Sequence, residues 1–167
     1  MNYKIRNMEF SDLEKLEVFY ADARQRMRDA GNPNQWWDFH PPKELLIQDI
    51  ETKNGYIIED LDTGEIAGAF AMIGGVDPTY INIEGGEWLN DDDYVAIHHI
   101  ASSGHHHKIL ETAVNFALNK IDNVRIDTYK DNKIMQSALE KLGFKYCGTI
   151  YVLDHQPRMA YHLTANR

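Results

Sequence analysis

The stretch "YVAIHHIASSGHHHKILETAVNFAL" (residues 94–118) decides how the chain is read. An apolar, strand-like run through 94–101 meets a short turn at Ser102, Ser103 and Gly104, and helical spacing follows over 106–119. A turn that enters a helix presents unpaired backbone N–H groups and the positive end of the helix dipole, a ready-made site for phosphate. Two serine hydroxyls, Lys108 and the run His105, His106, His107 would add donors and positive charge there. A solvated, histidine-rich first turn reads equally from these residues. Metal binding fits poorly: consecutive helical side chains point about 100° apart, and His98 and His99 lie on opposite faces of a strand. No metal is expected.

Outward from this stretch, the periodicities alternate. A short strand over 3–8 precedes a helix with Ser11 as N-cap, Glu14 as its capping-box partner and Gly31 as its stop. "NQWWDFHPP" (34–42) reads as a loop and "KELLIQDIET" (43–52) as a second helix. A hairpin follows, with strands on either side of a turn at Asp62, Thr63 and Gly64. The turn-rich 75–93 holds one short strand at 80–84. After the central stretch come a strand at "VRIDTY", a helix from Asn132 to Gly143, and an antiparallel pair in "FKYCGTIYVL" and "RMAYHLT". The expected architecture is one α/β domain over 1–167, with a mixed sheet and flanking helices.

Bulk properties narrow the function. The formal net charge of −9 opposes a nucleic-acid role, which needs a basic face to displace counterions. A single cysteine, Cys147, rules out an intrachain disulfide and suits a reducing, cytoplasmic setting, where it reads as a small buried hydrophobe. The N-terminus lacks a signal-peptide core, and no apolar run is long enough to span a membrane.

Several pieces together resemble the GCN5-related N-acetyltransferase superfamily, over nearly the whole chain. "VRIDTYKDNKIMQSALEKLGFKYCG" (124–148) carries the most specific likeness, through Asn132, Leu139, Gly143 and Phe144; "IHHIAS" resembles a bacterial subgroup that usually reads His-Arg-Ile-Ala there. The resemblance implies a mostly antiparallel sheet whose central parallel strands splay apart, with acetyl-CoA as co-substrate in the cleft. It implies that Ile100, Ala101, Ser102, Ser103, Gly104, His105, His106, His107, Lys108, Ile109 and Asn132 bind the cofactor. The family pattern of Arg/Gln-x-x-Gly-x-Gly/Ala falls on His105, Lys108 and Leu110, all different here. A tyrosine that serves as general acid in many members is replaced by Leu139.

The implied reaction moves an acetyl group to a primary amine of a small molecule or peptide. His98 or Glu84 would serve as base, or Glu87 through water, and a backbone N–H near Ile100 or Ala101 would polarise the thioester. Tyr151 is a candidate acid by type, as are Tyr129 and Tyr161. Trp36, Tyr80 and Trp88 could line an aromatic pocket, with Glu87 or Asp38 facing a cationic amine. A homodimer is compatible with the sequence. The alternative is a catalytically silent member of the fold that binds a ligand or partner, favoured by the altered loop and Leu139.

Overall fold

The computed structural model describes residues 2–152 and 155–165. Seven strands, in the hydrogen-bonded order β1-β2-β3-β4-β5-β7-β6, form one mixed sheet. They are β1 (Tyr3–Asn7), β2 (Gly55–Asp60), β3 (Ile66–Gly74), β4 (Val95–Ser102), β5 (Asn123–Thr128), β6 (Lys145–Tyr151) and β7 (Pro157–Thr164). Four helices accompany them: α1 (Leu13–Asp29), α2 (Lys43–Glu51), α3 (Ile109–Leu118) and α4 (Lys133–Lys141). Pairing is antiparallel for β1-β2, β2-β3, β5-β7 and β6-β7, and parallel for β4-β5. Among the described residues that parallel pairing covers two steps, Val95 with Val124 and Ala96 with Arg125, as expected of strands that part early. No described helix is long and apolar enough to cross a membrane.

The backbone divides into two compact units, Met1–Met72 with His99–Ala113, and Ile73–His98 with Val114–Arg167. The first gathers Leu16, Phe19, Tyr20 and Ala23 of α1 with Leu46 and Ile50 of α2 and Ile57 of β2 into a buried core. The start of α1 differs from the sequence expectation. Ser11 lies in a 3₁₀ turn, and the capping box is formed by Glu9 and Asp12. Arg6 grips Asp12 through both terminal guanidinium nitrogens, at 2.8 and 2.9 Å, and the Asp12 carboxylate accepts from the Glu9 amide. That charged clamp outcompetes a neutral serine cap.

The second unit packs Tyr80, Tyr94, Ala96, Ile150 and Ala160 together. The segment expected to be a strand at 80–84 is a 3₁₀ turn at Pro78–Tyr80 followed by an isolated bridge from Glu84 to Thr149. Two glycines permit this approach. A Cβ on Gly86 would collide with the Cys147 carbonyl, and one on Gly148 would stand 2.6 Å from the Glu84 carbonyl oxygen. Cys147 itself is buried, as its surroundings in the sequence suggested.

His162 of β7 is wholly buried, and its protonation is fixed by its partners. The Leu89 amide donates to Nδ1 at 3.2 Å, so Nδ1 carries no proton. Nε2 then donates to the Asn123 side-chain oxygen at 3.0 Å. Burial, reinforced by the Arg125 charge, lowers the pKa of His162 from 6.5 to about 4. A histidine that resists protonation when folded contributes stability that is complete above its unfolded pKa and is lost as pH falls. We expect His162→Gln to be least stable relative to wild type near neutrality. The difference should shrink between about pH 6.5 and about pH 4 in urea-unfolding curves.

Candidate active site

In the first unit, the turn from β4 to α3 aims unpaired backbone amides at the helix start. α3 begins at Ile109, and its first backbone bond runs from the Thr112 amide to the Lys108 carbonyl at 2.9 Å. The amides of Ile109, Leu110 and Glu111 are therefore the donors that a helix start leaves without an intrahelical acceptor. Ahead of them, Ser102 and Ser103 organise the turn. The Ser103 hydroxyl accepts from the amides of His105 and His106, at 3.2 and 3.1 Å, and that of Ser102 accepts from Gly104. Arg26 donates to the Ser102 carbonyl. Lys108, where the superfamily pattern has glycine, adopts φ +60°, a conformation that glycine takes without strain. The backbone here takes the left-handed form although the residue carries a side chain.

The histidines of this turn are not helical, so the reason for excluding a metal does not hold. His106 is buried, with Nδ1 at 2.6 Å from Ser103 Oγ and Nε2 at 3.0 Å from Asp60. His105 is exposed and reaches Glu65 at 3.0 Å. His107 stands at the surface, its carbonyl accepting from Tyr3. Ile109 is buried, so only its backbone can face a ligand.

His99 occupies φ +36° in the middle of β4. Its carbonyl accepts from the Tyr20 hydroxyl at 2.9 Å and its Nε2 meets Asp49 at 2.7 Å, both side chains 3% exposed. Trp36 packs edge-on against Tyr20 and is 7% exposed, so it serves the core of this unit. Ile100 is half-buried and Ala101 buried on the strand that follows the kink.

In the second unit, the three candidate catalytic side chains all belong to or adjoin the 77–84 loop. His98 Nε2 lies 2.8 Å from Asp77 and its side chain is 25% exposed. Burial raises the Asp77 pKa, but the bonds from His98 and Thr79 outweigh it and bring it down to about 2. Asp77 is thus an acceptor at neutral pH, His98 Nε2 must donate to it, and Nδ1 is the basic nitrogen of the neutral ring. Tyr151 donates to Glu84 at 2.9 Å, and that bond raises the tyrosine pKa, keeping its proton in place. The pair lines an open cavity of about 650 Å³ with Pro78, Thr79, Ile81 and Ile83.

The proposed aromatic pocket is differently employed. Tyr80 is 1% exposed and donates to Asp127 at 2.7 Å, which Arg158 faces at 3.7 Å. Trp88 donates to the Tyr80 carbonyl at 2.8 Å and stacks over Arg125, while Glu87 is exposed beside it. Asn132 caps α4, its side-chain oxygen accepting from Met135 at 3.1 Å, and Leu139 is fully buried. Sequence reading missed Asp49, Asp60 and Asp77. One signal was present: Asp49 falls on the apolar stripe of α2 with Leu46 and Ile50, where a carboxylate needs a partner.

Left-handed backbone costs a non-glycine residue about 1–2 kcal/mol, whereas the extra unfolded-state freedom of glycine costs about 0.4–1 kcal/mol. The first term wins at an exposed position. Lys108→Gly should stabilise the protein by about 0.5–1 kcal/mol in urea unfolding; a loss of stability would show that the lysine side chain holds the turn.

No protein-family model matches the chain, and no curated protein matches its sequence. Solved structures do. A GNAT-family acetyltransferase from Streptococcus agalactiae superposes with a TM-score of 0.85 at 28% identity, over 99% of this chain and 96% of that one. One from Listeria monocytogenes gives 0.71 at 17% identity, over 97% and 94%. The aminoglycoside acetyltransferase AAC(6')-Ib, solved with coenzyme A, gives 0.65 at 18% identity, over 98% and 95%. The chain has the fold of GNAT-family acetyltransferases.

Proposed function

We propose that the protein transfers an acetyl group from acetyl-CoA to a primary amine of a cationic small molecule or peptide. The observation that carries this reading is the backbone of the β4–α3 turn, with Lys108 held at φ +60° ahead of the α3 amides. Pyrophosphate would rest on those amides, and the exposed lysine adds a point charge that a glycine loop lacks. The likeness to acetyltransferases, one of them solved with coenzyme A, supports the same cofactor.

In the second unit the Glu84 carboxylate, held by Tyr151, receives the ammonium group in the open cavity it shares with Thr79, Asn82 and Ile83. His98 Nδ1 takes one proton to give the free amine. The amine nitrogen attacks the thioester carbonyl carbon, the C–S bond breaks, and the nitrogen loses its second proton as the thiolate gains one. The sum is an ammonium and acetyl-CoA giving an amide, CoA thiol and one released proton. Backbone N–H groups at the β4 kink would stabilise the oxyanion.

Calorimetric titration with acetyl-CoA and desulfo-CoA tests the cofactor assignment, and saturable binding of both is expected. Hydrogen bonds to charged groups are worth about 1.5–3 kcal/mol, so Lys108→Glu should weaken binding at least about tenfold; unchanged binding would remove the turn from the cofactor site. In steady-state assays over an amine panel, Glu84→Gln should raise KM about tenfold with little change in kcat, the mark of lost ground-state binding. His98→Gln should lower kcat about a hundredfold, as for a lost general base. A kcat loss confined to Glu84→Gln would exchange the two roles.

A further inference from the structure

Glu65, His105 and His106 have no part in acetyl transfer as described, yet they converge. The hairpin turn places Glu65 directly before β3, and the β4–α3 turn brings both histidines to it. Glu65 Oε2 is 3.0 Å from His105 Nε2 and 3.9 Å from His106 Nε2. The two imidazole centroids are 4.4 Å apart, so the rings lie side by side and aim their outer nitrogens at one carboxylate oxygen. The ligating atoms of all three side chains fall within 4.8 Å of one another. Asp60 Oδ2, at 3.0 Å from His106 Nε2, offers a fourth ligand atom on the His106 side.

We propose that Glu65, His105 and His106, backed by Asp60, bind a zinc ion. Tetrahedral ligands at about 2.0–2.1 Å from zinc stand about 3.3 Å from one another. Three of the separations, 3.0, 3.0 and 3.9 Å, bracket that value, and Glu65, His105 and His106 form the compact part of the set. Imidazole and carboxylate together suit zinc better than magnesium or calcium, which take oxygen ligands. The supporting contacts a metal histidine needs are also in place. Ser103 Oγ orients the His106 ring through Nδ1 at 2.6 Å, and the Asp62 amide donates to the other Asp60 oxygen at 2.9 Å. Ordinary ion pairing explains each contact singly; it does not require two imidazoles to share one carboxylate oxygen. The site stands independently of the acyl-transfer reading.

The test uses full-length, chelator-treated protein titrated with zinc sulfate by calorimetry in the absence of CoA, with cobalt(II) absorption as a second reading. We expect saturation at one equivalent and the intense visible bands of four-coordinate cobalt. Even supporting groups around a metal are worth about 10–100-fold in affinity, so His105→Ala and Glu65→Gln should each lose at least about tenfold. Both side chains are exposed, at 68% and 53%, so these variants should fold. His107→Ala, one residue further on, should bind as the wild type does. Absent or multi-site zinc uptake, equal binding by His105→Ala and wild type, or a loss on His107→Ala as large as on His105→Ala would each overturn the proposal.

Discussion

The buried Asp49–His99 pair carries the strain on which the β4 kink depends. A residue at φ +36° inside a strand costs about 1–3 kcal/mol and persists only when its surroundings overdetermine it. Here the Tyr20 hydroxyl fixes the His99 carbonyl and Asp49 fixes the ring, from two different helices. Removing one partner of a buried pair costs about 3–5 kcal/mol, which exceeds the strain. The kink is therefore the cheaper arrangement as long as both anchors remain. Alternation along the strand sends the neighbouring His98 to a different carboxylate, Asp77, while His99 meets Asp49.

Histidine paired with carboxylate recurs through an acidic chain. His98, His99, His105 and His106 meet Asp77, Asp49, Glu65 and Asp60. His162 has the opposite setting, with amide partners and an arginine nearby. The distinction is chemical. Each carboxylate fixes the orientation of the ring it meets, whereas burial and a neighbouring cation hold His162 neutral. The first kind sits where ligands can arrive or a backbone must be held, and the second pins β7 within the second unit.

Much of the fold was legible because its signals are local. The Gly64 hairpin, the Asn132 cap and the Gly143 stop depend on a few adjacent residues, and each element formed near its expected place. The site was less legible because its partners are distant in sequence: Asp77 lies 21 residues from His98, Asp60 46 from His106, and Asp49 50 from His99. Helical extrapolation failed at 106–108, where Lys108 and the Ser103 contacts hold the chain in a turn before α3 begins. Aromatic residues in loops misled for another reason. Trp36 and Tyr80 bury large apolar faces, and in a domain of this size such faces are drawn into the core before they become available to a ligand.

The β4–α3 turn separates what a sequence pattern records from what a ligand senses. Pyrophosphate responds to the direction of amides and to nearby charge, and not to the glycine that usually makes that direction easy. Lys108 reaches φ +60° at a cost of about 1–2 kcal/mol, a strain the packed start of α3 can hold, since Ile109 is buried beside Gly68. Gly68 is the counterpart that matters here: a Cβ on it would lie 2.6 Å from the Ile109 side chain, so glycine has been kept where strand and helix press together. The chain thus departs from the glycine pattern at the residue while its backbone takes a conformation that glycine would take freely.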